Sequence, residues 1–99
     1  MRREKYFYLH RMRMMVSSLP ADFDKYDLQR LFSPFGWVAY SKIYTDPITM
    51  KSRRKGLVEI TDENQAKAAM AALQGKVVGA NPINIKEVKD KGFTYGQGQ

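Results

Sequence analysis

Hydrophobic and polar residues alternate from Arg11 onward: Arg11, Arg13, Met15 and Ser17 fall on one face, Met12, Met14 and Val16 on the other. A period of two marks a half-buried strand, and Ser18-Leu19-Pro20 ends it. The period then lengthens. Leu28, Leu31 and Phe32 recur at helical spacing with Tyr26 nearby, behind an N-cap candidate, Asp24, and an imperfect capping-box partner, Asp27. Ser33-Pro34-Phe35-Gly36 stops this helix near Ser33. Residues 37–44, rich in aromatic and β-branched side chains, read as a second strand. Asp46-Pro47 opens a loop that carries Lys51, Arg53, Arg54 and Lys55, and this basic loop runs straight into a third strand at residues 56–60. Thr61 or Asp62 caps a second helix, Asp62 standing at capping-box spacing from Gln65. Ala66, Ala69, Met70 and Leu73 form one apolar stripe on it, whose alanines imply close approach to a sheet. Gly75 takes the C′ position, residues 79–82 form a turn, and residues 83–88 a fourth strand with Ile83 and Ile85 on one face.

The element order is β-α-β-β-α-β. Each helix has a single apolar stripe, so both must pack on one face of a four-stranded antiparallel sheet. This is an α+β, ferredoxin-like architecture with the other sheet face open to solvent. The domain is expected over residues 12–89, preceded by an aromatic and basic extension at 1–11 and followed by a flexible, glycine-bearing tail at 90–99. Within the extension, Tyr6, Phe7, Tyr8 and Leu9 are costly to leave in water, which favours local packing over a base-stacking role. No internal repeat or second domain is evident in the 99 residues.

Charge narrows the partner. Lysine and arginine outnumber acids 17 to 10, for a formal charge of +7 and an isoelectric point near 9.8. This favours polyanions, nucleic acid before an anionic membrane. No apolar run approaches the roughly 20 residues that cross a bilayer, so no membrane role is expected. With no cysteine, disulfides and thiolate metal sites are excluded. The only histidine, His10, lies in the leader, which leaves no material for a Ser-His-Asp triad or a His-based metal site. Asp22, Asp24 and Asp27 are better explained by helix capping than by metal binding, and no nucleotide-binding glycine loop is present. Acylphosphatases share the element order, but their phosphate-cradling first loop is rich in Gly and Arg, whereas this one reads Ser17-Ser18-Leu19-Pro20. Neither an enzyme nor a cofactor is expected.

The segment from Arg13 to Val88 resembles an RNA recognition motif (RRM). Met14-Met15-Val16-Ser17-Ser18-Leu19-Pro20 resembles the six-residue ribonucleoprotein signature of the first strand with its usual proline. Residues 28–36, LQRLFSPFG, resemble the family's LxxLFxxFG helix and turn. Residues 46–55 have the length and the Thr49/Ser52 pattern of the loop between its second and third strands. Ala66, Ala69, Met70, Leu73 and Gly75 fit AxxAIxxLNG, with Gln74 where Asn is common. The eight-residue signature, K/R-G-F/Y-G/A-F-V-x-F/Y, falls on Arg53-Arg54-Lys55-Gly56-Leu57-Val58-Glu59-Ile60. Its two base-stacking aromatics are here Lys55 and Leu57, and the first-strand stacking position is Met15. Stacking contributes roughly 1–3 kcal/mol per base, so losing three such groups weakens ordinary sheet-face binding.

With strand parity fixed by this resemblance, the open face carries Arg13, Met15 and Ser17, then Tyr40, Lys42 and Tyr44, then Lys55, Leu57 and Glu59, and finally Asn84 and Lys86. The resemblance implies single-stranded RNA as the partner, inside the cell, in RNA processing or regulation. Arg13, Lys42, Lys55 and Lys86 hold phosphates in this reading, and Lys51, Arg53 and Arg54 extend the track along the loop. Tyr40 and Tyr44 are the remaining stacking candidates, with edge packing as the equal alternative for each. Sequence selectivity is expected to be modest, because charge carries no base information. The competing expectation is a degenerate motif that binds other ribonucleoprotein components, for which Met15 and Leu57 supply a small apolar patch. The charge of +7 argues against this as the sole role.

Overall fold

A computed structural model describes residues 11–88. The aromatic cluster at residues 6–9, His10 and the tail at 90–99 lie outside the described residues. The elements are β1 (Met12–Ser17), α1 (Lys25–Phe32), β2 (Val38–Thr45), β3 (Ser52–Ile60), α2 (Glu63–Leu73), β4 (Val77–Val78), β5 (Asn81–Pro82) and β6 (Asn84–Val88). Strands β2-β3-β1-β6, in that order, form one antiparallel sheet, and β4 pairs with β5 in a separate two-stranded ribbon. The expected α+β architecture is the one observed.

The alternation in β1 decides which sheet face is covered. Met12, Met14 and Val16 are buried, while Arg13, Met15 and Ser17 are partly exposed. The buried set joins Val58, Ile60 and Ile85 from the sheet with Leu28 and Phe32 of α1 and Ala66, Ala69 and Leu73 of α2 in one core. Each large apolar side chain buried there contributes about 1.5–3 kcal/mol. At Gly56, Leu28 of α1 comes close to β3: a Cβ there would lie 2.6 Å from Leu28 Cδ2 and 2.8 Å from the Lys42 carbonyl oxygen.

Both helices start as their sequences predict. The Asp24 carboxylate accepts the N–H groups of Tyr26 (3.0 Å) and Asp27 (2.8 Å), and Asp27 returns the bond by accepting Asp24 N–H at 2.9 Å. Asp thus completes the capping box that Glu or Gln usually closes. At α2, the Asp62 side chain accepts Gln65 N–H. Past the end of α2, Gly75 has φ +81°, the left-handed turn that glycine adopts without a Cβ clash.

Two expectations need correction. The basic stretch is no loop leading into a strand: β3 begins at Ser52, so Arg53, Arg54 and Lys55 are themselves strand residues. The reason is cross-strand pairing of Ser52 with Thr45 beyond a register shift, which a sequence pattern cannot display. Residues 79–82 are not a bare turn either, since the β4–β5 ribbon occupies this region and the last sheet strand starts at Asn84. Gln74 lies alongside β6, its Nε2 donating to the Ile85 carbonyl and its Oε1 accepting Ile85 N–H, both at 2.8 Å. A side-chain amide therefore does the work of a further strand on that sheet edge.

Candidate nucleic-acid interface

Antiparallel register arranges the open face in cross-strand rows, because directly opposed residues share a face. The first row is Tyr40, Glu59, Arg13 and Val88; the second is Lys42, Leu57, Met15 and Lys86. In the third, Lys55 stands opposite Ser17, which stands opposite Asn84. These three rows bring residues expected on this face together across four strands.

The first row is not simply cationic. Glu59 is 9% exposed, and its carboxylate takes Arg11 Nη1 at 2.7 Å. Arg13, opposite Glu59, is also engaged in an interaction of its own. A pair buried on one side compensates its own charge locally. Arg11 lay on this face by the alternation of β1, but nothing in the sequence paired it with Glu59, some fifty positions on. The cations of the second and third rows, Lys42, Lys55 and Lys86, flank the apolar centre made by Met15 and Leu57.

At the β2–β3 edge the ladder is irregular. Ile43 pairs with Gly56 and Thr45 with Ser52, so Tyr44 alone stands opposite Arg53, Arg54 and Lys55. Such a bulge breaks the alternation of side chains and re-aims them. The consequence is a concavity of about 510 Å³ lined by Met15, Tyr44, Thr45, Arg53 and Lys55. Four of these were expected in the site. Thr45 was not, because simple alternation puts neighbours Tyr44 and Thr45 on opposite faces. Lys42 Nζ lies 4.7 Å from the centroid of the Tyr44 ring, a cation–π contact of about 0.5–1 kcal/mol at an exposed position.

Arg54, expected along the loop, has a different setting. It has φ +64°, at the position where the family signature carries glycine. Its Nε donates to the Leu19 carbonyl at 2.9 Å, and its own carbonyl accepts Leu19 N–H at 3.0 Å. The Ser52 hydroxyl accepts its N–H at 2.8 Å. Arg54 thus ties the chain just past β1 to β3, while the residue itself stays exposed. Arg53 instead stands beside Asp46, with 4.0 Å between guanidinium and carboxylate, in a loosely held, exposed pair. Asp46 is held below the ordinary carboxylate range first by the backbone N–H of Thr49, then by that of Ile48, with Arg53 adding to the effect. Lys51 is exposed at the start of this edge. Tyr40 is 48% exposed. Among the described residues no group of three or more His, Cys, Asp or Glu side chains is placed to hold a metal ion, and no helix is long and apolar enough to cross a membrane.

Comparison with known proteins places this geometry. The RNA recognition motif profile matches residues 14–84. The chain belongs to the RNA recognition motif family. Over 73 residues it is 38% identical to an uncharacterized RNA-binding protein of Schizosaccharomyces pombe, covering 73% of this chain. It is 34% identical over 79 residues to the chloroplastic RNA-binding protein CP31B of Arabidopsis thaliana, covering 80% of this chain. The aligned regions span only 15% and 27% of those two relatives. Among solved structures, RNA-binding protein PG1 superposes with a TM-score of 0.77 at 30% identity, over 80% of this chain and 95% of that one. Within this RRM, Met15 and Lys55 line the concavity together with the ring of Tyr44.

Proposed function

We propose that this RRM binds single-stranded RNA across the second and third rows of its open face, in RNA processing or regulation, with low to modest sequence specificity. The observation that carries this is the ring of cations around an apolar centre: Lys42, Lys55 and Lys86 about Met15 and Leu57, continued by Arg53 and Lys51 toward the start of β3. The relatives named as RNA-binding proteins support the same partner. Lysines spaced over several strands suit a flexible phosphate chain, and the apolar centre suits the bases between. We assign the binding unit to residues 12–89, with Asn84 and Tyr40 at its rim and Arg54 in a supporting role.

Three to five phosphate contacts give a slope of log affinity against log salt of about −2 to −3.5, at −0.7 per contact for single strands. Fluorescence anisotropy with short RNAs across a salt series measures it. Affinity that does not change between low and high salt defeats the proposal. Reversing Lys42 and Lys55 to Glu is expected to weaken binding more than ten-fold at low salt. Arg54 is left intact in that variant, since a charge reversal there would also remove its bond to the Leu19 carbonyl.

A further inference from the structure

We propose that the concavity at the β2–β3 bulge is a slot for one nucleobase, stacked on Tyr44, and that it prefers guanine. This rests on the RNA-binding reading above and adds to it a base identity and a position. The bulge sets three residues of β3 against Tyr44 alone, opening a space of about 510 Å³ between Tyr44, Met15, Thr45, Arg53 and Lys55. That volume falls within the roughly 300–1,000 Å³ of small-ligand sites. Lys42 takes one face of the Tyr44 ring, and the base takes the other. Met15 supplies an apolar wall. A tyrosine outside both signatures thus does the stacking that Met15, Lys55 and Leu57 cannot.

The polar lining sets the preference. Arg53 and Lys55 only donate hydrogen bonds, the Thr45 hydroxyl can do either, and no carboxylate or amide side chain lines the slot. Guanine presents two adjacent acceptors, O6 and N7, to which Arg or Lys bonds in a bidentate manner. Adenine and cytosine present an exocyclic amine donor, which meets cations here. Uracil offers a single carbonyl on the corresponding edge. The expected order is guanine, then uracil, then adenine and cytosine. Asp46 holds Arg53 only loosely, at 4.0 Å, which leaves the guanidinium able to turn to a base.

The test uses the full chain and adenosine nonamers whose central residue is adenosine, guanosine, uridine, cytidine or 7-deazaguanosine, with anisotropy as the readout. Adenine and guanine stack alike, so their difference reports the base edge. Guanosine is expected to bind at least about five-fold tighter than adenosine, the lower end of bidentate discrimination. 7-Deazaguanosine, lacking N7, should lose most of that gain. Tyr44→Phe should keep the preference, Tyr44→Ala should erase it with the salt slope unchanged, and Arg53→Gln should erase it without touching the ring. Thermal melting of each variant checks that it is folded. Equal affinity for all five nonamers overturns the slot while leaving RNA binding standing. No measurable affinity for any of them overturns both.

Discussion

Arg54 shows how one side chain can change role between sequence and structure. In a run of four cations it reads as a phosphate contact, yet its backbone has φ +64° and its guanidinium serves Leu19. Left-handed backbone costs a non-glycine residue about 1–2 kcal/mol, and a hydrogen bond returns about 1 kcal/mol. Arg54→Gly is therefore expected to stay within about 1 kcal/mol of the parent, since strain and bond are lost together. Arg54→Ala keeps the strain and loses the bond, and should be less stable than the glycine variant by about 1 kcal/mol. Urea denaturation of the two measures this, and an alanine variant more stable than the glycine one contradicts the account. The order is the reverse of what strand residues normally show, where glycine is the weaker choice.

At the scale of elements, the caps and turns are set by acidic side chains. The Asp27 carboxyl lies below its ordinary range, chiefly through the Asp24 backbone N–H and further through the Arg30 side chain. Asp46 is lowered in the same direction by Thr49 and Ile48 N–H groups in the turn after β2. Both folded values are depressed, so their contribution is fully present above the unfolded carboxylate value of about 3.9. It is lost as pH falls through the lower folded values. Thermal melting from pH 7 to pH 2 should show a decline confined to the acid end. The combined Asp27→Asn, Asp46→Asn variant should show a shallower one, and identical profiles would remove these groups from the cause. The helix starts were legible because capping is local: Asp24 and Asp27 lie within one turn. The course of β3 was not, since the bulge depends on pairing with β2, and neither strand's own pattern reveals it.

For the whole molecule, the formal charge of +7 is unevenly used. Glu59 and Arg11 compensate each other at one end of the open face, and the lysines gather toward the other. Glu59→Gln removes a carboxylate from that face and releases Arg11. RNA affinity at low salt is expected to rise about two- to ten-fold, with the gain shrinking at high salt as screening shortens the reach of the charge. Stopped-flow association rates should carry most of the increase. A salt-independent gain, or none, would show that the pair does not shape the field over the interface.

Element order, the two apolar helix stripes and the parity of β1 followed from the sequence, because periodicity and capping are properties of neighbouring residues. So did the grouping of Met15, Lys55 and Leu57 on one sheet face, since strand alternation is a local property. The tertiary structure decided what depends on distant residues meeting. It made Arg53, Arg54 and Lys55 residues of the inner strand β3, gave Arg54 to Leu19, joined Arg11 to Glu59, and set Tyr44 and Thr45 around one concavity. Each of these comes from pairing between strands, where a single shift of register changes which side chains share a face.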